Sequence, residues 1–172
     1  MTKIIFTDPT GSFDHFSDTL ANELIRHLNF AQSNIQIHGY SLTEFTNKNE
    51  IFYKKLKQKL DRGVKLSIFG NEKKDLLKIA DKMFTKYNKD HENEDIVSYY
   101  YYTGDEEETS FHLKAIVIDD KYLYIGSANI SQRAMEKNVE VGLIVEDGKK
   151  CKQFKKFIKH LLDNHLLKKI EW

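Results

Sequence analysis

Residues 111–140 read FHLKAIVIDDKYLYIGSANISQRAMEKNVE, and the rest of the chain is organised around this stretch. Ala115-Ile-Val-Ile118 is an apolar, mostly β-branched run. Tyr122-Leu-Tyr-Ile125 follows a polar Asp-Asp-Lys turn, so the stretch predicts two adjacent strands. Alternate side chains on a strand share a face. His112 and Lys114 therefore point one way and Leu113 the other, while Ser127 and Asn129 lie in the loop after the second strand. An imidazole serves as nucleophile or acid/base near neutral pH. The lysine beside it adds a fixed positive charge, and Ser127 and Asn129 add neutral donors. Such a face suits an anion whose charge is spread over several oxygens, a phosphodiester above all. Glu140 is of the type that holds the second nitrogen of an imidazole, fixing its tautomer and raising its basicity.

Working outward, the chain alternates strands with helices. Lys3–Phe6 reads as a short strand, with a turn at Asp8-Pro9 and Gly11-Ser12. A helix from Ser17, as N-cap, to Ala31 carries Leu20, Leu24 and Leu28 at helical spacing. Ile35–Tyr40 is a strand, Asn47–Arg62 a helix closed by Gly63, and Val64–Phe69 a strand. Asn71 opens a third helix to about Tyr87, and the polar stretch 86–94 reads as loop. Ile96–Thr103, with tyrosines at 99 to 102, is a strand whose rings alternate between core and surface; stacking on bases is the alternative use for them. Gly104–Glu108 is an acidic loop. Glu140–Val145 is a strand, and Lys149 to about Leu167 a basic amphipathic helix whose lysines form a solvated face or, alternatively, track a phosphate backbone. This order predicts an α/β fold, a mixed β-sheet sandwiched between helices, in a single domain spanning residues 1–172.

Composition narrows the functional classes. A chain of 172 residues with 40% hydrophobic content is long enough to bury a core. The net charge of +1 carries no general argument for nucleic acid, so any basic surface must be local. The one cysteine, Cys151, allows no internal disulfide framework. There is no long apolar run of signal or spanning type, so a cytoplasmic protein without stable membrane association is the expectation.

His112-x-Lys114, then Asp119, then Gly126-Ser127-x-Asn129 resembles the HKD signature of the phospholipase D superfamily. Ile35–Thr43 (IQIHGYSLT) and Arg62-Gly-Val-Lys-Leu66 resemble two further family strands, and Glu140 sits where the family places the carboxylate that partners the histidine. The resemblance covers about residues 3 to 160. It implies the phospholipase D/nuclease-like fold and a metal-independent phosphodiesterase with no cofactor. In that mechanism one histidine forms a covalent phosphohistidine and a second, from another copy of the motif, protonates the leaving oxygen and then activates water. The other histidines of this chain (His15, His27, His38, His91, His160 and His165) lack a lysine two residues on. One His112 cannot stand on both sides of phosphorus, so the resemblance implies a homodimer. Single-motif members of this size are mostly small dimeric nucleases, which makes a nuclease cleaving DNA or RNA the leading expectation. A phospholipase or phosphatidyltransferase, or a nucleic-acid-binding subunit of a larger defence or restriction system, are the alternatives.

Catalytic roles are thus expected for His112, Lys114, Ser127, Asn129 and Glu140. Asp119, at a strand end, is expected to be structural, and Gly126 to serve backbone conformation or close approach. His38 and Tyr40 lie on the strand that approaches the site, with a supporting role in substrate positioning.

Overall fold

A computed structural model of the chain describes residues 1–10, 19–42, 51–83, 87, 95–105, 107–131, 133–134 and 137–171. The expected N-cap at Ser17, the start of the second helix at Asn47 and most of the polar stretch 86–94 lie outside them. Among the described residues these elements follow one another: β1 (Thr2–Thr7), α1 (Leu20–Phe30), β2 (Asn34–Gly39), α2 (Ile51–Leu60), β3 (Lys65–Gly70), α3 (Lys73–Met83), β4 (Val97–Tyr102), β5 (Lys114–Ile118), β6 (Tyr122–Gly126), β7 (Glu140–Glu146), α4 (Gly148–Asp163) and β8 (Leu167–Lys169). The strands form one mixed sheet in the order β1-β7-β6-β5-β2-β3-β4-β8. β2, β3 and β4 run parallel, and every other neighbouring pair is antiparallel. No helix of the described residues is long and apolar enough to cross a membrane.

The alternation read from sequence decides the layers. Ile35, Ile37, Leu66, Ile68, Ile116 and Ile118 meet Leu20, Leu24 and Leu28 of α1, Leu56 and Leu60 of α2, and Leu76 and Ile79 of α3 on one face. Ala115, Val117 and Leu123 meet Cys151 and Phe154 of α4 on the other. The expected mixed sheet between helices is therefore the fold. α4 leaves part of its face uncovered. Ile4, Leu143 and Ile125 stand in direct register across β1, β7 and β6, and they are 52%, 41% and 46% exposed.

Two ends differ from the sequence reading. α1 is capped by Thr19, whose hydroxyl accepts from the Asn22 N–H at 3.3 Å. α4 stops at Asp163, four residues before the expected Leu167. His165 adopts φ +59°, and the N–H groups of His165 and Leu166 return to the carbonyls of Leu162 and Leu161 at 3.0 and 2.9 Å. That is the Schellman pattern, usually announced by glycine; a histidine in its place gave no signal. Leu167, freed from the helix, starts β8 along the edge of β4 and is buried beside Phe69, Phe111 and Ile158.

The turn between β5 and β6 fastens the sheet to α1. Asp119 and Asp120 both take positive φ, 51° and 54°, which aspartate tolerates better than most residues. The Asp119 carboxylate accepts the backbone N–H groups of Gln32, Ser33 and Asn34 at 2.7, 2.8 and 3.0 Å, and the Ser33 hydroxyl at 2.8 Å. Burial would raise its pKa, but the donors from Asn34, Ser33 and Gln32 outweigh that and hold the carboxyl below its ordinary range. We expect Asp119→Ala to cost about 2–3 kcal/mol, by the loss of charge-assisted bonds. Because the folded carboxyl titrates below the unfolded one, this contribution is complete above about pH 4 and fades as pH falls through the folded value. Thermal melts should therefore show the largest gap between wild type and Asp119→Ala near neutrality, shrinking in acid. A gap independent of pH would overturn this account.

Candidate active site

The candidate groups gather on one rim of the sheet. Tyr40 and Asn71 follow the ends of the parallel strands β2 and β3, Lys114 opens β5, Ser127 follows β6 and Glu140 opens β7. His112 precedes β5 and is exposed. It is held in place by its neighbour. The Phe111 N–H donates to Oδ1 of the buried Asn71 at 2.8 Å, and the Phe111 ring sinks into the cluster of Phe69, Ile158 and Leu167. Leu113 joins the same cluster, so His112 and Lys114 share the opposite face, as their spacing requires. Asn71 was legible in the sequence only as a helix opener. Its positioning role depends on a contact across forty residues, which no local pattern announces.

Lys114 Nζ stands 3.3 Å from Nδ1 and 3.4 Å from Nε2 of His112. An ammonium donates only to a ring nitrogen that carries no proton, so at most one of the two distances is a hydrogen bond in a given tautomer, and the contact sets a fixed positive charge beside the ring. Burial lowers the Lys114 pKa, and the Glu140 carboxylate pulls it partly back. Glu140 itself does not touch the imidazole. One carboxylate oxygen accepts the Ser127 hydroxyl and the other the Asn138 amide at 3.1 Å. The sequence reading paired this carboxylate with an imidazole; within one chain its partners are Ser127 and Asn138. β6 lies between β5 and β7, which puts Glu140 two strand spacings, about 10 Å, from the β5 line. The hydroxyl of Ser127 also accepts the Val141 N–H at 3.1 Å, so Ser127 ties β6 to β7. Asn129 makes no hydrogen bond to the other four groups, and its buried Oδ1 has no partner among the described residues.

Gly126 belongs to the framework of the rim. A Cβ there would collide with the Tyr124 hydroxyl and stand 2.8 Å from the Val141 carbonyl oxygen. The Tyr124 ring also lies against Gly142, the register partner of Gly126 across the strands. Asp119, five residues beyond Lys114, is about 17 Å away at the far end of β5 and takes no part in the rim.

His38 does not reach the site. It is buried on the α4 side, stacked on Phe69 at 4.4 Å and edge-on to Phe154 at 5.0 Å. Burial drives its pKa down to about 3, so it is a neutral core ring. The tyrosine run is likewise committed to packing. Tyr99 is in the main core, Tyr100 stacks on Phe69 at 4.5 Å, Tyr101 lies under the Lys73 ammonium, and the Tyr102 hydroxyl donates to that of Thr109. Tyr40 is different: 43% exposed, its ring centroid is 4.7 Å from that of His112.

Residues 24–162 match the family described as cardiolipin synthase, PLD-like domain. A relative from Bacillus paralicheniformis, DISARM protein DrmC, is 28% identical over 142 residues. The match takes in 83% of this chain and 55% of the relative, so the chain spans about half of that protein. Among solved structures, the phospholipase D family member Nuc from Salmonella typhimurium superposes with a TM-score of 0.70 at 16% identity, covering 100% of this chain and 99% of Nuc. NucT from Helicobacter pylori gives a TM-score of 0.66 at 23% identity, covering 95% and 97%.

Proposed function

The chain belongs to the phospholipase D superfamily, and on that premise we propose that it is a metal-independent phosphodiesterase, a nuclease whose working site is shared by two copies of the chain. The observation that carries this reading is the contact of the Lys114 ammonium with both ring nitrogens of an exposed His112. The neutral imidazole attacks phosphorus, a P–N bond forms as the P–O bond to the leaving group breaks, and His112 of a second copy gives its proton to the departing oxygen. That second imidazole, now neutral, takes a proton from water as the water oxygen displaces the first histidine from phosphorus. The ammonium of Lys114 and the amide of Asn129 stabilise the charge spread over the phosphoryl oxygens. Ser127 and Glu140 hold the rim together and keep Lys114 charged.

Self-association is supported by the exposed row Ile4, Leu143 and Ile125 on the strands that lead to Glu140 and Ser127. The relative named DISARM protein DrmC supports a role as one component of a larger system. The family's description, cardiolipin synthase, favours a second reading, phosphatidyl transfer by the same chemistry. Incubating the protein with DNA, RNA and a fluorescent phospholipid in excess EDTA separates the two. EDTA-resistant cleavage of nucleic acid is expected, and lipid turnover alone would overturn the nuclease reading. Light scattering should report a dimer under assay conditions.

Glu140 makes the reading sensitive to pH. Glu140→Gln removes the charge that offsets burial at Lys114, so the Lys114 pKa falls further. Its ammonium is then lost at lower pH, and the alkaline limb of the rate profile should move down. An unshifted limb would remove Lys114 as the group titrating there.

A further inference from the structure

Among the described residues, the Tyr40 ring belongs to no hydrophobic cluster and packs on the ring of His112. It follows β2 directly, and Gly39 before it pairs with Lys114, so the backbone fixes it beside the reacting groups. Its ring contacts the His112 ring at 4.7 Å with planes inclined at 55°, and it is 43% exposed. Rings inclined in this way are not stacked face to face, and the residue stays open to solvent beside the nucleophile. The tyrosines at 99–102 all have packing partners in the fold; Tyr40 has the nucleophile.

We propose that Tyr40 is the stacking platform for the base next to the scissile phosphate, and that the site accordingly takes single-stranded nucleic acid. The proposal rests on the phosphodiesterase reading and names its substrate class. With phosphorus in line with His112, the adjoining base hangs one sugar away, which is the neighbourhood of the Tyr40 ring. In a duplex the bases are stacked on one another and show a protein only their edges in the grooves. A π-face is offered by an unpaired strand, or by a base turned out of the helix. Stacking tolerates every base, because each has such a face, so Tyr40 selects strandedness and not sequence. The competing role for the ring is to hold the imidazole in place, which would act on every phosphodiester alike.

Three substrates separate these roles: a single-stranded oligonucleotide, the same strand annealed to its complement, and an equally long strand whose sugars carry no bases. The wild-type protein should favour the first over both others in kcat/KM. In Tyr40→Leu the preference for the base-bearing over the abasic strand should collapse about tenfold to a hundredfold, chiefly through KM. Tyr40→Phe, which keeps the ring, should retain it. Equal loss of kcat on base-bearing and abasic strands in Tyr40→Leu would make Tyr40 a positioning residue for His112 and overturn the proposal, as would a wild-type preference for duplex. Cleavage of none of the three by the wild-type protein would defeat the nuclease reading instead. Fluorescence anisotropy with the labelled strand still tests Tyr40 in that case: weaker binding by Tyr40→Leu and not by Tyr40→Phe sustains the stack, and equal binding by all three proteins ends it.

Discussion

His112→Asn should reduce phosphodiester cleavage by about 10⁴-fold or more, the scale expected when a nucleophile that also serves as acid and base is removed. Folding should survive, because the side chain is exposed and its backbone is fixed by the Phe111 bond to Asn71 and not by the imidazole. Unchanged melting with lost turnover is the expected pair of results. Mixing the variant with wild-type protein carries the test further. If one site needs two copies of His112, only dimers of two wild-type chains work. With equal amounts of both chains, randomly paired, that is about a quarter of the dimers. Activity proportional to the wild-type fraction would instead put both histidine roles within one chain, and the shared site would have to be abandoned.

Lys114→Ala should lower kcat by about 10²- to 10³-fold, comparable with losing one preorganised donor to a developing negative charge. KM should change less, because the charge on the phosphoryl oxygens grows toward the transition state and the ammonium acts most strongly there. The same substitution removes the donor at 3.3 and 3.4 Å from the His112 ring. The alkaline limb of the rate profile should therefore disappear and not merely move. A rise in KM at constant kcat would make Lys114 a binding group only.

Much of this was legible in the chain. Ala115–Ile118 and Tyr122–Ile125 declare their strands, because β-branched and aromatic runs bounded by a polar turn have few other uses. The two-residue spacing of His112 and Lys114 puts them on one face whatever surrounds them. Asp119 reads as structural from its place at a strand end, and its carboxylate accepts four donors. What escaped depends on contacts between distant segments. Asn71 reads as an ordinary helix start until Phe111 is brought to it, and His38 reads as a site residue until Phe69 and Phe154 enclose it. Glu140 has the right chemistry for an imidazole, but only the strand order reveals that β6 intervenes. The end of α4 was hidden for a local reason, since His165 occupies a position where glycine is the usual sign.

The packing of the Tyr124 ring against Gly126 and Gly142 changes how a survey of every substitution in this chain would have to be interpreted. Scored by activity alone, any side chain at Gly126 would look as ruinous as the loss of His112, although glycine brings no reacting atom to phosphorus. Asp119, a strand's length from the chemistry, would fall in the same column. Sorting the variants by how much folded protein each one yields splits that column in two. Inactive but abundant variants then mark the residues that handle the phosphate, and inactive, scarce ones mark the positions that hold the sheet together.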